Sequence, residues 1–326
     1  MHLLVLGAAG MIGAKLMNRL ARDGRLGGRE IETATLADIV LPNAPANAPF
    51  PVRALACDVA DRAALDDLVA EAPDVIVHLA AIVSGEAEAD FEKGYRVNLD
   101  GTRALLEAIR AVGSGYRPRL VFASSIATFG APLPEPIPDT HHLTPLTSYG
   151  TQKAIGELLL SDYTRRGFVD GIGLRLPTIC VRPGRPNKAA SGFFSSIIRE
   201  PLAGEEAVLP VSEDVRHWHA SPRAAVGFLI HAAGLSSDAI GPHRNLTMPG
   251  VSVTVAEQIE ALRRVAGDAV AARIRREPDP AIAAMIATWP RAFEASRAQA
   301  LGFVAEDDFD AIIRVHVEDE LGGRVG

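Results

Sequence analysis

Tyr149 and Lys153 stand four residues apart in Ser148-Tyr149-Gly150-Thr151-Gln152-Lys153. On a helix that spacing puts both side chains on one face, one turn apart, where they can meet the same bound molecule. The chemistry open to such a pair is proton transfer. A phenol with a pKa of about 10 is a poor base in the cell, and a neighbouring ammonium favours its phenolate. A phenolate can take the proton of a substrate hydroxyl while its carbon is oxidised, help worth roughly 10²–10⁴-fold. The pair alone decides nothing, because a half-buried Tyr beside a solvated Lys fits the same spacing.

The elements before the pair supply a cofactor site. Residues 2–6 are a short apolar run, followed by Gly7-Ala8-Ala9-Gly10-Met11-Ile12-Gly13 and then by helical periodicity from Ala14 to Arg22. Strand, glycine turn and helix in that order suit a pyrophosphate. The glycines let the backbone turn tightly and approach it, and the helix N-terminus offers N–H groups and the positive end of its dipole. Gly7, Gly10, Met11, Ile12 and Gly13 are therefore candidate cofactor contacts, at a G-x-x-G-x-x-G spacing rather than the commoner G-x-G-x-x-G. A second strand, Glu32 to Leu36, runs into Ala37-Asp38. An acid there can accept from ribose hydroxyls and would repel a 2′-phosphate, so Asp38 favours NAD over NADP; it is otherwise an ordinary turn Asp. A third strand ends at Ala56, and Cys57-Asp58-Val59 follow at the edge where an adenine could lie. Asp58 could pair with its amino group, or equally cap the next helix, Asp61 to Ala70.

Val75-Ile76-Val77-His78-Leu79-Ala80-Ala81 is apolar on both faces, as a buried parallel strand requires. At its end Leu79, Ala80 and Ala81 can lie against the cofactor, and His78 is expected as a hydrogen-bonded core residue. Ser84-Gly85 opens a loop at the mouth of the site, and a long helix, roughly Asp90 to Val112, carries Asn98. The strand Arg119 to Ala123 ends in Ser124-Ser125. Ligands in such sheets gather at the carboxyl ends of strands, so Ser125 falls within reach of Tyr149. Beyond Lys153 the same helix carries Leu158-Leu159-Leu160, apolar on more than one face. That predicts burial by its own sheet and by a second subunit, hence a homodimer. A strand Gly171 to Leu176 leads to Pro177 and Thr178, further candidate cofactor contacts.

The alternation up to residue 176 predicts an α/β chain built on a doubly wound parallel sheet of Rossmann type. After it, segment 180–220 is rich in Gly, Pro, Arg and Asn, with one short helix near Phe193 to Ile198. Helices recur at 221–235, 254–266, about 278–287 and about 307–321, the second opened by a Thr254/Glu257 capping box. The expected division is 1–178 for NAD and 179–326 mainly for substrate in a smaller C-terminal α/β domain, with elements near 215–250 returning to the first.

Bulk properties bound the function. The 326 residues are 48% hydrophobic, enough for a large core in one domain or two joined ones. The net charge is −7 and no Lys/Arg-rich block occurs, which argues against nucleic acid. The longest apolar run, Val75 to Val83, is broken by His78 and too short to span a bilayer. Leu3 to Leu6 run straight into the glycine turn, unlike a signal peptide, so a cytoplasmic enzyme is expected. Cys57 and Cys180 read as small buried residues, not a disulfide. His141-His142, and His217 and His219 flanking Trp218, lack acidic or cysteine partners at ligand spacing. No metal is expected, and these histidines read as surface or pocket-rim residues.

Taken together, the glycine turn 7–13, Asp38, Asp58-Val59, Leu79-Ala80-Ala81, Asn98, Ser124-Ser125 with Phe129-Gly130, and Tyr149-Gly150-x-x-Lys153 resemble the extended short-chain dehydrogenase/reductase superfamily over nearly the whole chain. The resemblance implies that Tyr149 is the proton acceptor and that Lys153 holds the nicotinamide ribose and favours the phenolate. It further implies that Ser125 hydrogen-bonds the reacting oxygen and that Asn98 supports the lysine. Two departures weaken a nucleotide-sugar substrate. Thr178 stands where such enzymes usually carry Asn, and in Arg216-His217-Trp218-His219-Ala220-Ser221-Pro222-Arg223 the usual acid is Arg223. The later sequence, in Leu176 to Gly184, Asn187 to Ser195 and Val215 to His219, is similar to a branch acting on small sugar acids. That likeness implies NAD-dependent oxidation of D-erythronate at C2 to 2-oxo-tetronate. A four-carbon acid needs a cation or several donors for its carboxylate. Ser84, Asn187 and Arg216 are the candidates, beside Ser125 and Tyr149 at the reacting hydroxyl; ordinary loop structure explains the first three equally well. The competing expectations are a nucleotide-sugar epimerase or dehydratase with tightly bound NAD, and a cofactor-sensing scaffold without catalysis.

Overall fold

Short apolar runs become strands here because both of their faces are covered. In the computed structural model, which describes residues 1–113, 115–184 and 191–325, β1 (His2–Leu6) leads through the glycine turn to α1 (Met11–Asp23). There follow β2 (Thr33–Asp38), β3 (Val52–Ala56), α2 (Arg62–Ala70) and β4 (Val75–His78). Next come α3 (Ser84–Ala89), α4 (Phe91–Gly94), a π-helical turn Tyr95–Asp100 and α5 (Gly101–Val112). Then β5 (Arg119–Ser125), α6 (Ser148–Arg165) and β6 (Asp170–Leu176) complete the alternation.

Seven strands form one sheet in the order β3-β2-β1-β4-β5-β6, with the strand Asn245–Thr247 outside β6. The pairs β3–β2, β2–β1, β1–β4 and β4–β5 run parallel. The chain winds one way from β1 to β3 and the other way from β4 onward, so the sheet is doubly wound and its direction reverses between β1 and β4. Register then decides what faces the crevice there. Leu55, Ala37, Leu6, His78 and Phe122 stand in one row across five strands. The row beyond it holds Ala56, Asp38, Gly7, Leu79 and Ala123, at the carboxyl edge.

Two compact units divide the chain. The first comprises Met1–Thr128, Thr147–Arg175 and Val226–Leu246; the second comprises Phe129–Leu146, Leu176–Ala225 and Thr247–Gly326. The first is held by Leu4, Leu6, Ile76, Leu105, Leu106, Leu120 and Phe122. In the second, β7 (Thr178–Ile179), α7 (Gly192–Leu202), β8 (Arg216–Ala220), β9 (Val251–Thr254), α8 (Val255–Ala266) and α9 (Phe309–Glu320) surround Phe194, Ile197, Leu262 and Ile312. The strand β8 pairs parallel with β7 and antiparallel with β9. Thr254 and Glu257 form the expected capping box, each side chain accepting from the other's backbone N–H.

Several local expectations change. The helix expected from Asp90 to Val112 is α4, a π-turn and α5, because Asn98 turns inward to bond the backbone of Ile82. Such turns often mark functional sites. Ser84-Gly85 begins a short helix rather than a loop, since Glu86 and Ala87 both donate to the Val83 carbonyl. Asp61, not Asp58, caps α2, accepting from Ala63 and Ala64. The three leucines of α6 separate, Leu160 buried under the sheet and Leu158 66% exposed. His217 and His219 are buried instead of lying at a surface or rim. His217 accepts or donates to Thr178 Oγ1 at 2.7 Å and to the Pro290 carbonyl at 2.8 Å. Because a carbonyl only accepts, Nδ1 carries the proton and Thr178 donates to Nε2. Burial holds His217 down to about 4, so it stays neutral.

Candidate active site

The glycine turn is shaped by what lies across the crevice. Gly7 sits at φ 87°, and a Cβ there would fall 2.5 Å from the Ala80 amide nitrogen. Only glycine lets β1 and the end of β4 approach so closely. The turn is tied to β2 by Gly7 N–H donating to Ala37 O at 2.8 Å and by Ala9 N–H donating to Asp38 Oδ2 at 3.0 Å. No side chain caps α1 at Gly10 and no acid lies in its first turn, so its N-terminal N–H groups keep their affinity for an anion. Gly13 is buried inside that turn, while Met11 and Ile12 are half-buried. Leu79, Ala80 and Ala81 are half-buried opposite, and Leu79 N–H donates to Leu6 O. Just beyond β3, Asp58 accepts from Ala60 N–H and from Arg96, which directs its carboxylate to these partners, and Val59 is buried against Gly101. These residues fit a dinucleotide: N–H donors for a pyrophosphate, Asp38 for a ribose, and apolar backbone at Leu79–Ala81.

The candidate proton-transfer residues stand on two adjacent elements. Ser125 ends β5, and its Oγ accepts from Ala127 N–H at 3.1 Å. Its own proton is then the group it can offer to a substrate oxygen. Tyr149 lies in the first turn of α6, which Thr147 caps by accepting from Gly150 N–H at 3.0 Å. Lys153 is only 3% exposed, and its Nζ donates to the Ala123 carbonyl at 2.8 Å. The ammonium lies 4.9 Å from the centre of the Phe122 ring and 5.7 Å from that of Tyr149. Burial pulls its pKa down to about 8, with the charge of Glu157 acting in the opposite sense. Asn98 is buried, and its Nδ2 donates to Gln152 Oε1 at 2.8 Å, so its tie to the lysine runs through the neighbouring residue. Ser84 is half-buried at the start of α3.

The other candidates belong to the second unit or lie outside the described residues. Thr178, half-buried, is the partner of His217; Pro177 precedes it. Arg216 Nη1 donates to Ser252 O at 2.9 Å, and its Nη2 pairs with Glu257 at 3.2 Å. Asn187 lies outside the described residues. Among the described residues, no group of three or more His, Cys, Asp or Glu is placed to hold a metal, and no helix is long and apolar enough to cross a membrane. Sequence reasoning gave no role to Gln152, the partner of Asn98, or to Glu157, whose charge acts on Lys153 and which bonds Ser124 and Arg175; the signal for Glu157 was its spacing, four residues beyond Lys153.

Residues 3–222 match the NAD dependent epimerase/dehydratase family. The chain belongs to this family. NAD is its cofactor, and the doubly wound sheet is the fold expected of it. The chain is 49% identical to a D-erythronate dehydrogenase of Cupriavidus necator, over 98% of each protein. It is 43% identical to a D-erythronate dehydrogenase of Haemophilus influenzae, over 98% of this chain and all of that one. A crystal structure of a nucleoside-diphosphate-sugar epimerase from Agrobacterium tumefaciens is 63% identical, with a TM-score of 0.98 over all of this chain and 96% of that one.

Within this family member, Gly150 sets the distance between the elements that carry the two candidate residues Ser125 and Tyr149. A Cβ there would fall 2.1 Å from the Ala127 carbonyl, in the turn that follows Ser125. Gly150→Ala must therefore push the start of α6, and Tyr149 with it, away from Ser125. Misplacement of about 1 Å costs on the order of 10²-fold in rate, so kcat should fall by about that factor. Alanine is the better helix former by about 1 kcal/mol, so poor helix formation would not explain the loss. Steady-state kinetics beside a melting curve make the test, and a variant with parental kcat would show that this contact does not set the geometry.

Proposed function

We propose that the chain catalyses the NAD-dependent oxidation of a small sugar acid, D-erythronate, at C2, giving 2-oxo-tetronate. The observation that carries the reading is the buried Lys153 ammonium one turn from Tyr149, in a chain alike over 98% of its length to two D-erythronate dehydrogenases. Tyr149 takes the proton of the reacting hydroxyl, and the Lys153 charge stabilises the phenolate that does so. Ser125 donates a hydrogen bond to the same oxygen. NAD, when bound, would supply the hydride acceptor, and the glycine turn 7–13, Asp38, Asp58-Val59, Leu79–Ala81 and the Pro177-Thr178 segment would hold it. For the substrate carboxylate we assign Ser84, Asn187 and Arg216. A guanidinium has five N–H donors, so Arg216 retains donors beyond those given to Ser252 and Glu257. The first unit then serves the cofactor and the second mainly the substrate.

The epimerase likeness carries a second reading, a nucleotide-sugar enzyme whose NAD returns unchanged. Against it stand Thr178 and Arg223, the latter engaged by Glu318 and Asp319 rather than replaced by an acid. The reactions separate by absorbance of NADH. Net NADH formation with D-erythronate, and none with UDP-sugars, supports the dehydrogenase. Turnover of a UDP-sugar without NADH, with no response to any four- to six-carbon aldonate, would sink it. We further propose a cytoplasmic homodimer. Leu158 exposed on α6, with Ile155 and Leu159 half-buried beside it, supports the pairing face, and two free buried cysteines suit a reducing compartment.

A further inference from the structure

The spacing that joins Tyr149 to Lys153 repeats once more along α6, to Glu157. This carboxylate is 1% exposed, and every partner it has is a donor drawn from the sheet beneath. Ser124 Oγ donates to Oε1 at 2.5 Å. Arg175, on β6, forks onto it with Nε at 3.0 Å from Oε1 and Nη2 at 2.7 Å from Oε2. Ser124 follows Ala123, whose carbonyl takes the Lys153 ammonium. Two consecutive residues of β5 thus hold the lysine and the glutamate side by side.

A carbonyl can orient an ammonium, but it carries no net charge to offset the loss of water. A buried lysine left with that partner alone gives up its proton readily. The groups facing Lys153 can be named element by element. From β4 comes His78, neutral because burial holds it at about 3. From β5 come the Phe122 ring and the Ala123 carbonyl. From α6 come Tyr149 and Glu157, and from β6 Arg175, positioned behind Glu157. Of these, Glu157 alone bears a negative charge in the resting enzyme.

We propose that Glu157 is a positioning residue of the catalytic site: its buried charge keeps the Lys153 ammonium protonated, and so keeps Tyr149 able to act as a base. The proposal rests on the Tyr149–Lys153 reading above. The competing account is that Glu157 only neutralises Arg175. Removing the whole ion pair separates the two. If Glu157 served Arg175 alone, Glu157→Gln with Arg175→Met would restore parental behaviour, since a buried pair replaced by apolar groups is often tolerated. If Glu157 serves Lys153, the lysine loses its proton before Tyr149 does in both the single and the double variant. The phenolate then forms only at higher pH.

The experiment records kcat for aldonate oxidation at saturating NAD across pH, with ultraviolet difference absorbance of the phenolate measured against Tyr149→Phe. The acid limb and the absorbance should both move up by about one pH unit or more in E157Q and in E157Q/R175M, the scale of a single neighbouring charge. A double variant with the parental acid limb overturns the proposal. Should these variants not fold, Glu157→Asp keeps the charge and draws it back by one methylene. A shift in the same direction supports the proposal there, and an unmoved limb overturns it. If Tyr149→Phe is itself fully active, the proposed mechanism fails, whatever the limb does; if it is inactive and the limb stays, only the role of Glu157 fails.

Discussion

Replacing Tyr149 by Phe is expected to lower kcat by about 10²–10⁴-fold while NAD affinity and folding stay close to those of the parent chain. The substitution removes one oxygen and keeps the ring that lies 5.7 Å from the Lys153 ammonium. The lysine retains its bond to Ala123 O, and the glycine turn and Asp38 are untouched on the other side of the sheet's reversal point. What disappears is the phenolic oxygen that stands one turn from a buried cation. Ser125 is assigned the donor's part instead, since its Oγ accepts from Ala127 N–H and its hydroxyl proton can be offered to the substrate oxygen. Turnover, NAD binding by titration and a melting curve, measured on one preparation, decide the matter. Full activity with intact NAD binding would remove Tyr149 from the mechanism.

Asp170→Asn is expected to cost about 3–5 kcal/mol of stability, a large share of the roughly 5–15 kcal/mol that holds a folded domain. Asp170 begins β6 and receives Arg119 Nη2 at 2.6 Å and Arg244 Nη2 at 2.5 Å. The two arginine side chains are 10% and 4% exposed. Burial pulls the pKa of each downward, and the Asp170 charge opposes that pull. The arginines also reach backbone carbonyls, Arg119 at Leu235 and Arg244 at Gly171 and Gly241, so the three residues bind the returning segment 226–246 to the amino ends of β5 and β6. Asparagine keeps an acceptor but not the charge, and leaves two buried cations with neutral partners alone. Urea unfolding measures the loss. A change below about 1 kcal/mol would mean that the carbonyls suffice. Protein that remains folded should keep its kcat, because Asp170 lies at the amino edge of the strands and Ser125 at the carboxyl edge.

The parts of the site that depend on local sequence were legible from it. Gly7 to Gly13, Asp38, Ser125, Tyr149 and Lys153 each follow from a strand end or a helical repeat, and strand ends in a parallel sheet share one edge. Asp58 was legible as a position but not as a set of bonds, since whether it capped α2 depended on where that helix began. Asn98 was legible as a residue of interest, yet its π-turn was not, because helical periodicity does not record which carbonyl a side chain will claim. The buried state of His217 and His219 escaped notice for the same kind of reason: an imidazole suits a surface or a core, and the Pro290 carbonyl that fixes one tautomer is 73 residues away.

By itself, then, the sequence determined the strand–helix alternation, the glycine turn, the acid at the end of β2 and the one-turn step from Tyr149 to Lys153. All of these are short-range patterns that backbone geometry converts directly into position. Only the tertiary structure decided how charged the lysine can remain. That depends on desolvation under the sheet, on the Ala123 carbonyl and on the Glu157–Arg175 pair, and burial and opposite charge are properties of residues brought together from three different elements.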